Sequence, residues 1–299
     1  MTQAPVVTPA AETVAETHPE DVLVLEDVRI HDDLSDTELV HGVSLRLRRG
    51  QVVGIVGESG SGKSLTCRAV LGILPELIEV SGGSITLLGR DAATLTRRDW
   101  TALRGAAIGA VFQDPASYLN PSITVGKQLQ EVLRVRGGLS RKDAHRRAVE
   151  LFDSVHLRDP EQVYRQYVHE LSGGMLQRVL IAIAISLDPD ILIADEATTA
   201  LDATVQAEIL DLLAELTERL GLALVLVSHD LAVVAQLCDE VLVLRDGHVV
   251  EQGPTARILH DPQEAYTRLL VAEHEQYGLE RYLGTTADAV LPTEELNRV

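Results

Sequence analysis

Gly57-Glu58-Ser59-Gly60-Ser61-Gly62-Lys63-Ser64 fills every fixed position of the phosphate-loop pattern G-x-x-x-x-G-K-[ST], which sets the class of chemistry. Upstream, Gln51-Val52-Val53-Gly54-Ile55-Val56 is an apolar run of strand length. Downstream, Leu65-Thr66-Cys67-Arg68-Ala69-Val70-Leu71 has helical character. Strand, glycine-rich turn and helix are the setting in which such a loop grips phosphate. Its glycines let backbone N–H groups curl around a polyphosphate, and the helix start turns its positive dipole end to the same anion. Lys63 is placed to reach β- and γ-phosphates, and the Ser64 hydroxyl to ligate Mg²⁺. A chance glycine-rich turn would not have both flanks right.

The 299 residues suffice for one large domain or two modest ones, and 45% apolar content supports a substantial core. Aromatics make up only 3%, so that core must be built from Leu, Val, Ile and Ala. The net charge of −19 and the lack of a basic face argue against a nucleic-acid partner. Among 26 basic residues, only Lys63, Lys127 and Lys142 are lysines, which leaves Lys63 conspicuous in its loop. Cys67 and Cys238 have neither the number nor the spacing of a zinc site or disulfide framework. Cys67 reads as a small core residue. The apolar runs Val179 to Leu187 and Leu220 to Val227 are too short to cross a bilayer. Residues 1–20 show no basic segment of a signal peptide.

Residues 1–20 read as a disordered tail. A domain over 21–274 follows, and then a tail over 275–299 without a legible role. Val22 to Ile30 and Val43 to Arg48 alternate as antiparallel strands do. Ser84 to Leu88, Ile108 to Phe112, Ile191 to Ala194, Ala223 to Val227 and Val241 to Leu244 read as further strands. Asp202 to Leu220 and Leu231 to Leu237 read as helices between them. Residues 121–170 are Arg-rich, helical in pattern and poor in strand formers, and read as a separate helical lobe. Within it, Ser140 and Asp143 suit the start of a helix near Arg141. The expected fold is therefore α/β: a phosphate-loop core with a mostly parallel sheet, an antiparallel β subdomain and a helical lobe. No internal repeat appears, so one nucleotide-binding unit is expected.

Asp195 and Glu196 emerge at the end of the apolar run Ile191 to Ala194. Asp195 is placed to hold Mg²⁺, directly or through water, and Glu196 to polarise an attacking water as general base. An acidic helix cap after a strand is the plain alternative; the upstream phosphate loop favours the catalytic one. His229 follows a strand at the sheet end where ligands of open α/β sheets bind, so it is a candidate donor to a γ-phosphate. Gln113 also ends a strand and is a candidate sensor of metal or water. Ser172-Gly173-Gly174 opens a long apolar helix and so forms a second anion-binding helix start. Taken alone, that stretch is better read as an ordinary Ser cap with flexible glycines.

Together these pieces resemble the ATP-binding-cassette ATPases over roughly residues 22 to 270. Leu171-Ser172-Gly173-Gly174-Met175 matches the family's signature sequence. Asp195-Glu196, Ala200-Leu201-Asp202, Gln113 and His229 match the second acidic motif, the D-loop, the Q-loop and the switch histidine. The resemblance is closest to ATPase subunits of oligopeptide, dipeptide and nickel importers. It is carried by Phe112-Gln113-Asp114-Pro115, Leu119-Asn120-Pro121, Ile193 to Asp202 and Tyr266-Thr267-Arg268-Leu269-Leu270. The chain departs from the family at Ala197, where a proline is usual. It departs again at Ile30, His31 and Asp32, where an aromatic that stacks on adenine is usual. No cysteine follows Cys238, so an iron–sulfur cluster is not expected.

The resemblance implies ATP and Mg²⁺ as ligands and ATP hydrolysis coupled to uptake of a peptide or a related solute such as nickel. It implies two cassettes that sandwich two ATP molecules, so that Ser172, Gly173, Gly174 and Asp202 serve the partner's nucleotide. The second cassette is expected to be a different chain. Two transmembrane permease subunits would dock near the helical lobe and the Gln113 to Pro121 segment, and an extracytoplasmic solute-binding protein would deliver cargo. The expected location is the cytoplasmic face of the membrane. A cassette subunit of a non-transport complex, for example one in phosphonate metabolism, is the alternative.

Overall fold

A computed structural model describes residues 20–198 and 201–277, with side chains to Glu273. The sequence readings on residues 1–19 and 278–299, and on Thr199 and Ala200, lie outside the described residues. Ten strands and ten α-helices follow one another among the described residues. The strands are β1 (Asp21–Asp32), β2 (Thr37–Arg48), β3 (Val52–Val56), β4 (Ile78–Leu87), β5 (Arg90–Asp91), β6 (Ile108–Phe112), β7 (Ile191–Asp195), β8 (Ala223–Ser228), β9 (Glu240–Arg245) and β10 (His248–Pro254). The helices are α1 (Lys63–Val70), α2 (Arg97–Leu103), α3 (Val125–Val135), α4 (Arg141–Ser154), α5 (Pro160–Val163), α6 (Gly173–Ala184), α7 (Ala203–Leu220), α8 (Leu231–Leu237), α9 (Thr255–His260) and α10 (Ala265–Tyr277).

Two sheets result. One is antiparallel, in the order β2-β1-β4-β5; the other runs β10-β9-β3-β8-β7-β6. Within the second, β6, β7, β8, β3 and β9 are parallel and β10 closes the edge antiparallel to β9. The period-2 alternation of strand side chains divides each central strand between two cores. Val53 and Ile55, Ile191 and Ile193, Val225 and Val227, Leu242 and Leu244 face the antiparallel sheet and α1. Val52 and Val56, Leu192 and Ala194, Leu224 and Leu226, Val241 and Val243 face the helices. Burial on both faces explains why these strands are apolar throughout.

Helices α3, α4 and α5 occupy residues read as the helical lobe. Their apolar faces, Leu129, Leu133, Leu151 and Phe152, join the core that also contains Leu192 and Leu224, with α6 packed between. Ser140 caps α4, accepting from the Asp143 N–H at 3.2 Å while its hydroxyl donates to the Asp143 carboxylate at 2.6 Å.

Several boundaries differ from the sequence reading. Strand β2 begins at Thr37, ahead of Val43. Strand β4 begins at Ile78, ahead of Ser84; register shifts against β1 near Gly82 and Gly83 disguise its first half. Strand β10 was not anticipated, since a bulge between Val249 and Glu251 interrupts its alternation. Helix α6 ends at Ala184 with Ile185 as its cap, short of Leu187.

Phe152 is fully buried and belongs to the core that the helices share with the sheet. Phe152→Ala is expected to cost about 3–5 kcal/mol of stability, measured by chemical denaturation. A loss below about 1 kcal/mol would mean that the helical segment does not carry this core.

Candidate nucleotide site

Register builds the site. Phe112 pairs with Asp195, Asp195 with Val227, and Val56 with Ser228, so four parallel strands end in one row. The residues just past that row are Gln113, Glu196, His229 and Gly57. This is the carboxyl edge at which open α/β sheets bind ligands.

Two glycines shape the phosphate loop between β3 and α1. Gly57 has φ 152°, and a Cβ there would lie 2.0 Å from the Leu244 carbonyl oxygen. Gly62 caps α1 at φ 98°, with Val40 already 3.0 Å from where a Cβ would stand. Lys63 and Ser64 therefore start α1 directly at the cavity. The Lys63 side chain is buried, and its ammonium donates to the carbonyl oxygens of Gly57 and Glu58, both at 2.7 Å. Burial pushes its pKa down, an effect opposed by the nearby Glu196 and Asp195 carboxylates. Ser64 donates to Asp195 Oδ1 at 3.0 Å. Burial pushes the Asp195 carboxyl up, against the Ser64 bond that favours its anion.

A cavity of about 420 Å³ opens over these groups, lined in part by Ser59, Gly60, Gly62, Lys63, Ser64, Gln113, Asp195 and Glu196. Gly57, Glu58 and Ser61 do not line it. Glu58 turns its N–H away, towards the Tyr266 hydroxyl at 3.2 Å, and the Ser61 side chain is buried under the loop. Four lining residues escaped the sequence reading: Leu65, Arg68, Phe112 and Tyr118. Arg68 stands four residues after Ser64 on α1, so its helical spacing was a usable signal. Tyr118 reaches the cavity by stacking on Phe112, with ring centroids 5.1 Å apart, which no spacing reveals.

Glu196 adopts φ 51°, a left-handed conformation that costs a residue with a Cβ on the order of 1–3 kcal/mol. Its N–H donates to the Val227 carbonyl at 3.0 Å, which holds the turn. His229, half exposed, brings Nδ1 to 4.0 Å from the Glu196 carboxylate. Ala197 behind it is buried. Among the described residues no cluster of three or more His, Cys, Asp or Glu could hold a metal. Ser64 and Asp195 offer hard oxygen donors of the kind that would suit Mg²⁺.

Ser172, Gly173, Gly174 and Asp202 stand apart from this cavity. Ser172 caps α6, accepting from Met175 N–H at 3.3 Å. Asp202 caps α7, accepting from the N–H groups of Thr204 at 3.2 Å and Val205 at 3.1 Å. The two helix starts abut: a Cβ on Gly174 would lie 2.5 Å from Val205. His31, in β1, brings Nε2 to 3.4 Å from Asp36.

The sequence profile described as "ABC transporter" matches residues 40–199. The chain is 41% identical over 258 residues to the probable D,D-dipeptide transport ATP-binding protein DdpD of Escherichia coli (strain K12), covering 86% of this chain and 79% of that one. It is 43% identical over 241 residues to the dipeptide transport ATP-binding protein DppD of Lactococcus lactis subsp. cremoris, covering 80% and 69%. Among solved structures, the dimeric post-hydrolysis state of the ATP-binding cassette MJ0796 bound to ADP and Pi superposes with a TM-score of 0.69 at 28% identity, covering 78% of this chain and 98% of that one. With its phosphate loop, acidic strand end and capped α6 start, the chain belongs to the ABC transporter family, as an ATPase cassette.

Proposed function

We propose that this ATPase powers uptake of a peptide or a related small solute, as one of two cassettes that close on two ATP molecules. The observation that carries the reading is a division of anion sites. Ser59, Gly60, Gly62, Lys63 and Ser64 of the phosphate loop share one cavity with Gln113, Asp195 and Glu196, while Ser172, Gly173 and Gly174 sit outside it at a separate helix start. A second anion site that its own cavity does not use suits a partner's nucleotide.

In this reading the loop N–H groups and Lys63 hold the β- and γ-phosphates. Lys63 exchanges its two loop carbonyls for phosphate oxygens. Ser64 and Asp195, with Gln113 alongside, would hold Mg²⁺, which supplies charge neutralisation at the phosphates. Glu196 takes a proton from the water that attacks the γ-phosphorus, and the bond to the β-bridging oxygen breaks to release ADP and phosphate. His229 orients the γ-phosphate from beside Glu196. Ser172, Gly173, Gly174 and Asp202 complete the facing cassette's site.

No helix among the described residues is long and apolar enough to cross a membrane. Transport then rests on two separate permease subunits, docked over the helical lobe and the Gln113 to Pro121 segment, where Tyr118 is exposed. The names of the relatives support a peptide-type cargo. An extracytoplasmic solute-binding protein would deliver it. The second cassette is a different chain, and the complex works with this subunit on the cytoplasmic face of the membrane.

Glu196→Gln should keep ATP binding and slow hydrolysis roughly 10²–10⁴-fold, the worth of a placed general base. Single-turnover hydrolysis and nucleotide titration separate the two effects; failure to bind ATP would make Glu196 a structural residue. Ser172→Arg should leave ATP affinity of the isolated full chain unchanged. In the assembled complex, turnover should fall roughly 10²–10³-fold, as when a transition-state donor is removed. Lost affinity in the isolated chain would show that Ser172 acts on its own nucleotide and would refute the paired arrangement.

A further inference from the structure

The run Tyr266 to Leu270 has no role in the nucleotide site as read so far, yet it touches the phosphate loop. Tyr266 is buried, and its hydroxyl accepts the Glu58 N–H at 3.2 Å. The same peptide group is gripped on its other side, because the Gly57 carbonyl oxygen accepts from the Lys63 ammonium at 2.7 Å. In a trans peptide the C=O and N–H point in opposite directions, so the two contacts together fix the plane of the Gly57–Glu58 peptide. Gly57, at φ 152°, imposes little restraint of its own there.

Tyr266 is itself held firmly. The Arg245 guanidinium lies 4.8 Å from its ring centroid. The nearly buried Glu251 carboxylate accepts from the N–H groups of Gln263 at 3.0 Å and Glu264 at 3.1 Å, and from Arg257 at 3.0 Å. Burial alone would raise the Glu251 pKa, but these backbone bonds and Arg257 bring it below the ordinary value, so the bracket stays anionic. The bracket sets where α10 begins, and the first turn of α10 carries Tyr266. Burial also holds the Tyr266 phenol above its ordinary pKa, so its hydroxyl is neutral.

We propose that Tyr266 is a positioning residue of the nucleotide site. Its hydroxyl keeps the Gly57–Glu58 peptide plane in place when Lys63 leaves the Gly57 carbonyl for a phosphate. This rests on the reading of Lys63 as a phosphate ligand. Without the hydroxyl, that peptide loses its second restraint at the moment of binding, and the loop must be ordered at the expense of affinity. An element beyond the parallel sheet thereby acts on the loop through one hydrogen bond.

The test uses the full chain and compares wild type with Tyr266→Phe and Lys63→Ala. Titration with ATP reads affinity, amide hydrogen exchange reads the 57–64 segment, and thermal unfolding reads stability. Tyr266→Phe keeps the ring and its Arg245 contact. It should raise the ATP dissociation constant about three- to tenfold, the worth of one hydrogen bond. Exchange should quicken in residues 57–64, with α10 protection and the unfolding midpoint unchanged. A dissociation constant within twofold of wild type overturns the proposal if Lys63→Ala still loses affinity. A weaker affinity accompanied by faster exchange throughout α10 also overturns it, since Tyr266 would then be only a packing residue. If Lys63→Ala keeps wild-type affinity as well, the reading of the site itself falls.

Discussion

The structure depends on a buried ammonium. Lys63 is 3% exposed, and its charge is held by two carbonyl oxygens of its own loop. Taking a lysine out of water costs several kcal/mol unless such oxygens replace the solvent. Those oxygens face inward only because the loop curls, and the loop curls only because Gly57 and Gly62 accept conformations closed to other residues. The loop thus holds a charge with the dipoles of its own carbonyl groups. Asp195 and Glu196 lie close enough to oppose the fall in its pKa. In the proposed function, phosphate oxygens take the place of those carbonyl oxygens.

The two-faced sheet makes the geometry rigid. Alternate residues of β3, β7, β8 and β9 are shared between two separate cores, so no central strand can slip by one residue without exchanging the cores. Register then fixes the row Phe112, Asp195 and Val227, and with it the positions of Gln113, Glu196 and His229. The strained turn at Glu196 is tolerable because its N–H continues the ladder to Val227.

Much of this was legible in the sequence. The eight residues from Gly57 to Ser64 admit one local shape, and the fully apolar central strands announce burial on both faces. The alternation of Val22 to Ile30 gave away the antiparallel sheet. What escaped was non-local or locally disguised. β10 was hidden by its bulge and the start of β4 by Gly82 and Gly83. Tyr118 joins the cavity only through its stack on Phe112, and Tyr266 reaches Glu58 across 208 positions of chain. The inward turn of Lys63 onto its own loop follows from the fold around it, and no motif states it.

In the proposed function the Lys63 ammonium is held ready for a polyphosphate. ATP titration of the full-length chain carrying Lys63→Ala tests it most directly, with turnover of the assembled complex measured alongside. The dissociation constant is expected to rise roughly tenfold to a hundredfold, the range for a charge-assisted hydrogen bond, with hydrolysis abolished. Wild-type affinity together with near wild-type turnover would contradict it.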